Sequence, residues 1–330
     1  MPNLRLYICI WTLVWKPLPC TDRVASNSEA QTLPYSSTVL GGNMVMTFVF
    51  SLLLLLVGPA ICGGTFSDLF QPYWAPQNVA VDDDADQTKL SLDASSGCGF
   101  ESKKKYLFGL ASMQIKLVEG DSAGTVTAFY MSSDGPNHDE LDFEFLGNVS
   151  GEPYLVQTNV YVNGTGNREQ RHTLWFDPTQ DFHTYSLFWN RRCVLFLVDG
   201  IPIRAFVSKE VSGIPYPRSQ PMGVRASVWN ADDWATQGGR VKTDWSHAPF
   251  VSTFRSFQID ACDLLEDGSG TEVVTRCTES GQFWWDKPEF DGLDRHRNRQ
   301  LRRVQRKHLV YDYCRDKLRF SDQLPRECVA

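Results

Sequence analysis

One short segment of the sequence carries three acidic residues that alternate with apolar ones. It reads His138-Asp139-Glu140-Leu141-Asp142-Phe143-Glu144-Phe145-Leu146-Gly147. On a β-strand, side chains alternate between faces, so Glu140, Asp142 and Glu144 (the acidic row) would share one face. Neighbouring carboxylates repel each other, which a strand with a purely structural role avoids. The segment therefore predicts a catalytic cleft that tunes the pKa values of its carboxyl groups.

The spacing of the two outer carboxylates indicates a reaction class. Four residues along a strand rise about 13 Å, and an inward reach of about 4 Å by each glutamate leaves their carboxyl groups about 5 Å apart. That is the separation of the nucleophile and the acid/base in a retaining glycosidase. Two other interpretations remain: an acidic face in solvent, or a calcium site. A calcium site prefers loop carbonyl oxygens, which a regular strand does not supply.

The composition describes the kind of chain that must position these residues. It has 330 residues, 42% hydrophobic and 22% charged, which excludes a disordered or collagen-like chain. The net charge of -7 argues against a nucleic-acid partner. The aromatic share of 12% suits a sugar-binding cleft and a β-core equally well.

The N-terminal part predicts export. An apolar run from Met44 to Val57 is followed by small residues and an A-x-C pattern ending at Cys62, so residues 44–62 are predicted to be a secretory signal peptide. No Lys or Arg lies between Met44 and the apolar run, which departs from the usual pattern. We interpret residues 1–43 as a non-structural upstream extension, with a membrane anchor as the alternative. The expected mature chain has a large domain at 63–260 and a small extension at 261–330.

From about residue 65 to 260 the sequence predicts β-structure. Short aromatic and β-branched runs alternate with Gly, Asn, Asp and Pro, and Asp199-Gly200 predicts a hairpin turn. Many strands without intervening helices predict an all-β sandwich or jelly roll.

Six cysteines follow the predicted signal peptide. In an oxidising compartment, adjacency favours the disulfides Cys262–Cys277 and Cys314–Cys328, although four cysteines allow three connectivities. Each would close a loop of about 15 residues, worth about 3 kcal/mol. A zinc site is the competing interpretation, but no C-x-x-C pair or suitably spaced His supports it. We expect Cys98 and Cys193 to be buried thiols.

A basic segment between these cysteine pairs predicts an amphipathic helix. Leu301, Val304 and His308 fall at helical spacing within 293–309, among seven Arg and Lys residues. The helix could dock an acidic polysaccharide, or it could simply present a solvated basic face.

The acidic segment resembles the active strand of glycoside hydrolase family 16, and more closely the plant xyloglucan endotransglucosylase/hydrolases. The resemblance covers essentially all of 65–330. It implies a concanavalin-like β-jelly-roll sandwich with a small disulfide-pinned C-terminal extension that contains a helix. Further segments carry it: Ser95–Phe100, Tyr106–Gly109, Lys116–Val126, Trp229–Gly239, Tyr311–Cys314 and Pro325–Cys328.

The resemblance also implies roles for individual residues. Glu140 would be the nucleophile, Asp142 its helper and Glu144 the acid/base. The E-x-D-x-E spacing, one residue shorter than in bacterial β-1,3-glucanases of the family, implies xyloglucan-type β-1,4-glucan chemistry. Gln157 and Asn159 alternate on the next predicted strand, so both could bind sugar hydroxyls, and Trp229 could add a stacking surface. The full set of expected substrate contacts is Glu144, Gln157, Thr158, Asn159, Asn167, Arg168, Glu169, Asp233, Trp234, Gly238 and Arg319; ordinary turn or strand-end bonding is the alternative for the polar ones.

Asn148 and Asn163 begin glycosylation sequons, Asn-Val-Ser and Asn-Gly-Thr. The expected protein is a secreted, monomeric plant cell-wall enzyme that cuts xyloglucan and rejoins it. It would need no metal or organic cofactor, and we expect no nucleic-acid partner and no stable membrane association. Because no extended cleft loop is evident, transfer is favoured over hydrolysis. Two alternatives remain open: a xyloglucan hydrolase and a non-catalytic lectin.

Overall fold

The computed structural model describes residues 64–209, 212–263, 275–279, 281–321 and 323–329. The predicted upstream extension at 1–43 and the signal peptide at 44–62 lie outside the described residues. Gly63–Ala330 forms one unit by its internal contacts. Within the described ranges, no helix has both the length and the apolar character needed to cross a membrane.

The described chain is built almost wholly from antiparallel strands. In chain order the strands are β1 Phe70–Trp74, β2 Val79–Asp82, β3 Gln87–Leu92, β4 Cys98–Lys116, β5 Thr125–Ser132, β6 Glu140–Leu146, β7 Leu155–Tyr161, β8 Gln170–Thr173, β9 His183–Trp189, β10 Cys193–Val198, β11 Ile201–Val207, β12 Met222–Asn230, β13 Phe250–Asp263 and β14 Leu309–Asp312. The helices with both ends among the described residues are α1 Phe66–Leu69, α2 Arg295–Lys307 and α3 Arg326–Val329. Among the described residues of 65–260, the helical elements are the one-turn helix α1 and short 3₁₀ turns, as the predicted β-structure requires.

The long strand β4 connects two layers. Its first half pairs with β1 and β12, and its second half pairs with β9 and β13. The strand bends at Phe108 and Gly109, whose φ angles are 67° and 126°. A Cβ at Gly109 would lie 2.3 Å from the Cα of Ala261, so this crossing requires glycine. The inner sheet contains β1, β4, β12, β5, β6, β7, β8 and β14, and the outer sheet contains β2, β3, β13, β4, β9, β10 and β11.

Aromatic side chains fill the space between the two sheets. Phe143 of the inner sheet lies 5.2 Å from Phe196 of the outer sheet, and Phe145 lies 4.6 Å from Tyr185, measured between ring centroids. All four side chains are fully buried. The apolar residues that alternate with the acidic row therefore anchor β6 to the core, and the predicted all-β sandwich is confirmed.

The C-terminal extension is pinned as expected. Disulfides join Cys262 to Cys277 and Cys314 to Cys328, and α2 lies between them in the sequence. Strand β13 continues to Asp263, so the chain is still within the sheet at the predicted start of the extension, residue 261. After α2, strand β14 pairs with β8 and thereby joins the inner sheet. Cys98 and Cys193 are free and buried, as predicted.

Candidate active site

The acidic row lies on β6 in the middle of the inner sheet. Residues directly opposite each other on antiparallel strands share a face. Polar and aromatic side chains of β7 therefore lie beside the three carboxyl groups. The cross-strand pairs are Glu140 with Tyr161, Asp142 with Asn159, and Glu144 with Gln157.

An open cavity of about 640 Å³ lies over this face of the sheet. Its wall combines two indole rings with hydrogen-bonding side chains, a mixture that suits a sugar chain. The two indoles, Trp229 and Trp234, have centroids 6.1 Å apart. The lining residues are Glu144, Gln157, Asn159, Tyr161, Glu169, Arg171, Trp229, Trp234, Tyr311 and Arg319.

Burial changes the acidity of two members of the acidic row. It raises the pKa of Asp142 well above the usual range, and the neighbouring carboxylates of Glu140 and Glu144 raise that pKa further. Burial also raises the pKa of Glu144, against the opposing effect of its hydrogen bond from Gln157. These shifts favour the protonated form of Asp142, which can donate a hydrogen bond to Glu140, and the protonated form of Glu144, which can give a proton to a leaving group.

A hydrogen-bond chain orients the groups around Glu144. Arg171 Nε donates to Gln157 Oε1 at 2.7 Å, and Gln157 Nε2 donates to Glu144 Oε2 at 2.6 Å. Asn159 Oδ1 accepts from the backbone N–H groups of Val160 and Arg168. The oxygen atoms of both amides are thus engaged by the protein, and the amide nitrogen of Asn159 is directed to the cavity side of the strand.

The C-terminal extension supplies one wall of the cavity. Arg319 Nη1 and Nη2 donate to the two carboxylate oxygens of Glu169 at 2.6 and 3.2 Å. Arg319 Nη2 also donates to Asn167 Oδ1 at 2.8 Å, and Nη1 donates to Tyr311 Oη at 3.1 Å. The structure therefore brings Arg319 of the extension to Asn167 and Glu169, which belong to one predicted loop segment far away in the sequence.

Two expected substrate contacts need correction. Thr158 lies opposite Phe143 on β6, so its side chain points between the sheets and is fully buried. Arg168 is also buried: its Nε donates to Glu327 at 2.6 Å, and its Nη1 donates to backbone carbonyls, including that of Thr165. Neither side chain can reach a ligand in the cavity, and both stabilise the fold instead.

The predicted segment 229–239 is only partly in the cavity. Trp229 and Trp234 line it, whereas Gly238 lines an adjoining cavity of about 370 Å³. Asp233 is exposed and is absent from the linings of both. The structure thus brings the two indoles to the acidic row but does not bring Asp233 there.

Three lining residues were missed from the sequence. Tyr161 follows Asn159 at the next position on the same face, so the period of two could have identified it. Arg171 alternates with Glu169 in the same way. Tyr311 carried no such signal, because its place depends on the pairing of β14 with β8. Tyr161 also stacks on His138, whose Nε2 lies 3.8 Å from Glu140 Oε2, so this pair supports the start of β6.

A buried cation lies behind the acidic row, on the face of the inner sheet that packs against the outer sheet. Arg204 of β11 donates through Nη1 to the carbonyl oxygen and the hydroxyl of Thr158, at 2.8 and 3.0 Å. Burial lowers the pKa of Arg204 to about 10, which leaves it charged at neutral pH. Its charge opposes the rise in the pKa of Asp142. Arg204 therefore supplies part of the compensation that three adjacent carboxylates require.

Replacing this cation should alter the pH dependence of activity. In Arg204→Met, the pKa of Asp142 should rise, because a nearby positive charge that lowers it is lost in a region of low dielectric constant. Because Asp142 would then keep the proton that it donates to Glu140 up to a higher pH, the alkaline limb of the kcat/KM profile is expected to move to higher pH by about one unit. Arg255→Met is the matched control, since Arg255 stacks on Phe182 and bonds to Gln114 in the outer sheet. Equal profiles for wild type and Arg204→Met would refute the electrostatic role.

The other predicted positions lie outside the cavity. Asn148 follows β6 and donates through Nδ2 to the carbonyl oxygen of Pro153 at 3.1 Å, and Asn163 is exposed with a φ of 51°. Glycosylation of either stays a prediction.

Among the described residues, no group of three or more His, Cys, Asp or Glu side chains is arranged to hold a metal ion.

Comparisons with known proteins agree with this geometry. Residues 66–247 match "Glycosyl hydrolases family 16", and residues 279–328 match "Xyloglucan endo-transglycosylase (XET) C-terminus". "Xyloglucan endotransglucosylase protein 6" of Diospyros kaki is 58% identical over 289 residues, covering 86% of this chain and 96% of its own. "Xyloglucan endotransglucosylase/hydrolase protein 9" of Arabidopsis thaliana is 56% identical over 285 residues, covering 86% and 94%.

Solved structures are also similar. A Bacillus licheniformis β-glucanase is 25% identical with a TM-score of 0.46, covering 57% of this chain and 89% of its own. The family match over 66–247 covers more than half of the chain, and the second match covers most of the C-terminal extension. The chain therefore belongs to glycosyl hydrolase family 16 and carries the xyloglucan endo-transglycosylase C-terminal region.

Proposed function

We propose that this protein cuts the β-1,4-glucan backbone of xyloglucan with retention of configuration and joins the cut end to another xyloglucan chain. The observation that carries the proposal is an open cavity lined by Glu144 of the acidic row, two indole rings and side chains of the C-terminal extension. Glu140 and Asp142 precede Glu144 on the same face of β6. The names of relatives at 58% and 56% identity support the choice of xyloglucan. The predicted signal peptide and the two disulfides support a secreted enzyme that works in the cell wall, and we propose that it acts there as a monomer.

In the first step, the Glu140 carboxylate attacks the anomeric carbon while Glu144 gives its proton to the departing glycosidic oxygen. The bond to that oxygen breaks as the ester bond to Glu140 forms. Asp142, whose pKa is raised by burial and by its acidic neighbours, holds a proton and donates a hydrogen bond to Glu140. That bond limits the negative charge on Glu140 and makes it a better leaving group in the second step.

In the second step, Glu144 acts as a base. It removes a proton from a hydroxyl group of the incoming xyloglucan end, whose oxygen attacks the anomeric carbon and releases Glu140. Water can take the same place, so transfer dominates only when the acceptor occupies the cavity better than water does. The wall formed by Glu169, Tyr311 and Arg319 is the part of the cavity that we assign to acceptor binding.

The direct test is incubation of the secreted protein with xyloglucan, with and without a labelled xyloglucan oligosaccharide. Label entering polymer supports transfer. New reducing ends without incorporation would make the protein a hydrolase, and binding of the polymer without either product would make it a lectin.

Arg319→Ala should separate transfer from hydrolysis. Loss of the guanidinium leaves the Glu169 carboxylate without its two hydrogen bonds and removes a donor from the proposed acceptor wall. Because charge-assisted hydrogen bonds contribute about 1.5–3 kcal/mol, transfer to the labelled acceptor should fall about tenfold or more, and hydrolysis should change less. Arg315→Ala is the control, since the Arg315 side chain is 75% exposed on the same extension. An equal fall in both reactions would argue against an acceptor role.

A further inference from the structure

Helix α2 concentrates positive charge in a chain whose net charge is -7. Its 13 residues include seven basic ones and no Asp or Glu. The basic residues are Arg295, Arg297, Arg299, Arg302, Arg303, Arg306 and Lys307. Nothing in the proposed glucan chemistry uses this charge.

Four of these residues form one stripe on the helix. Arg295, Arg299, Arg302 and Arg306 are spaced by four, three and four positions, so they share one face over about 16 Å. All four are exposed. Leu301 and Val304 lie on the opposite face and are buried. We call these four residues the arginine stripe.

The arginine stripe lowers the stability of the helix that carries it. Like charges at i, i+3 and i, i+4 repel each other, and Arg295 stands in the first turn, where the helix dipole disfavours a cation. Within the described ranges, no carboxylate forms an ion pair with a stripe residue. Arg299 Nε donates a hydrogen bond to the carbonyl oxygen of Arg295, one turn earlier in the same helix. Unbalanced charge of one sign, held in a fixed line, is the arrangement that a linear polyanion complements.

The rest of the fold holds the stripe in place. The Asp294 side chain caps the helix by accepting from the N–H of Arg297 at 2.7 Å. The buried face of α2 packs against β11, and the next element, β14, brings Tyr311 to the cavity wall. The stripe is therefore exposed to solvent on a helix that is fixed to β11, and the chain continues from this helix into the sheet that carries the cleft.

We propose that the arginine stripe docks a linear polyuronate, a polysaccharide with one carboxylate per sugar. The choice of a polyuronate rests on the proposed function, because an enzyme that acts on a neutral wall glucan meets acidic polysaccharides as its neighbours. Docking holds the enzyme at the acidic polymer while the cleft acts on the neutral one. Because the contact is electrostatic and exposed, its affinity falls as salt concentration rises.

The test measures binding of the full secreted protein to sodium polygalacturonate in the absence of xyloglucan, over a series of NaCl concentrations. In the stripe variant, R295Q/R299Q/R302Q/R306Q, glutamine keeps a good helix propensity and removes the charge. The control variant, K89Q/K103Q/R192Q/K287Q, removes the same number of charges from exposed positions elsewhere. A lysine variant, R295K/R299K/R302K/R306K, keeps the charge.

The wild type, the control and the lysine variant are expected to bind, with affinity that decreases with salt. The stripe variant should bind at least tenfold more weakly, and fully methyl-esterified polymer should not bind to any of the proteins. Transfer between soluble xyloglucan oligosaccharides should be the same in all four proteins.

Equal weakening in the stripe and control variants would overturn the proposal, because binding would then follow net charge. Tighter binding of single-stranded DNA than of polygalacturonate would overturn the choice of a polyuronate as the ligand. Loss of transfer in every protein with binding intact would refute the proposed function alone.

Discussion

Glu140→Ala is expected to lose turnover of xyloglucan by about 10⁴-fold or more, with folding and polymer binding retained. The reason is that Glu140 supplies the bond that forms in the first step, whereas the cavity is lined by other residues. Turnover should be measured as label transfer, and binding as retention on immobilised xyloglucan. Glu152→Ala is the control, since Glu152 is an exposed residue of a surface turn.

Azide distinguishes a lost nucleophile from a lost acid. In Glu140→Ala, azide can enter the space of the missing carboxylate and attack from that side, so an activated β-glycoside should give an α-glycosyl azide. In Glu144→Ala, azide instead attacks the glycosyl-enzyme and should give the β-anomer. Exchange of these two outcomes would reverse the assignments of Glu140 and Glu144. Loss of folding in Glu140→Ala would indicate a structural role.

The acidic row was predictable because its signal is local. A period of two in a ten-residue segment decides which side chains share a face, and the structure shows Leu141, Phe143 and Phe145 buried on the other side. The disulfides were also local, since each joins cysteines that are neighbours in the sequence. The basic helix followed from spacing alone in the same way.

The two corrected contacts, Thr158 and Arg168, show which side-chain directions the local sequence predicts and which it does not. Thr158 was grouped with Gln157 and Asn159, but a strand sends the middle of three residues to the opposite face. Arg168 follows Asn167, whose φ of 63° turns the chain so that the next side chain points inward. The period of two predicts the first correction, whereas the second depends on a backbone angle that the sequence does not specify.

The cavity wall depends on pairing between distant segments. Arg319 bonds to Glu169 across 150 positions of sequence, and Gln170 bonds to Asp312 across 142. Arg204 lies on the outer sheet, whereas the acidic row lies on the inner sheet. The sequence pattern of β6 or β11 therefore does not predict that they are close together. These positions are determined by the packing of whole sheets, and spacing along the chain carries no information about them.

Asp142 and Glu144 should also make the protein less stable as pH rises. The pKa of Asp142 is raised in the folded state, so its protonated form is favoured there. Its contribution to stability is complete below the usual pKa of about 3.8 and is lost as pH rises through the higher folded-state pKa. Over that range one such group changes the free energy of unfolding by about 1.4 kcal/mol per pH unit. The pKa of Glu144 is raised too, and acts with the same sign.

Asp142→Asn should remove the larger part of this effect. Asparagine has the same shape and can still donate a hydrogen bond to Glu140, but it has no proton to lose. The variant should therefore gain stability relative to wild type as pH rises from about 4, as measured by urea unfolding at a series of pH values. Turnover should nevertheless fall about 10²-fold or more, because the proton near Glu140 can no longer be shared between the two carboxyl groups.

Asp177→Asn is a control of opposite sign. Hydrogen bonds from Thr179 lower the pKa of Asp177, so its stabilising contribution is present above the usual pKa and lost as pH falls. This variant should therefore lose stability relative to wild type as pH rises toward the usual pKa of about 3.8, and its difference from wild type should stay constant at higher pH. Parallel unfolding curves for wild type and Asp142→Asn at every pH would show that Asp142 is not the buried acid described here. Opposite slopes for the two variants would show that the protein retains a destabilising carboxyl group where its chemistry requires one.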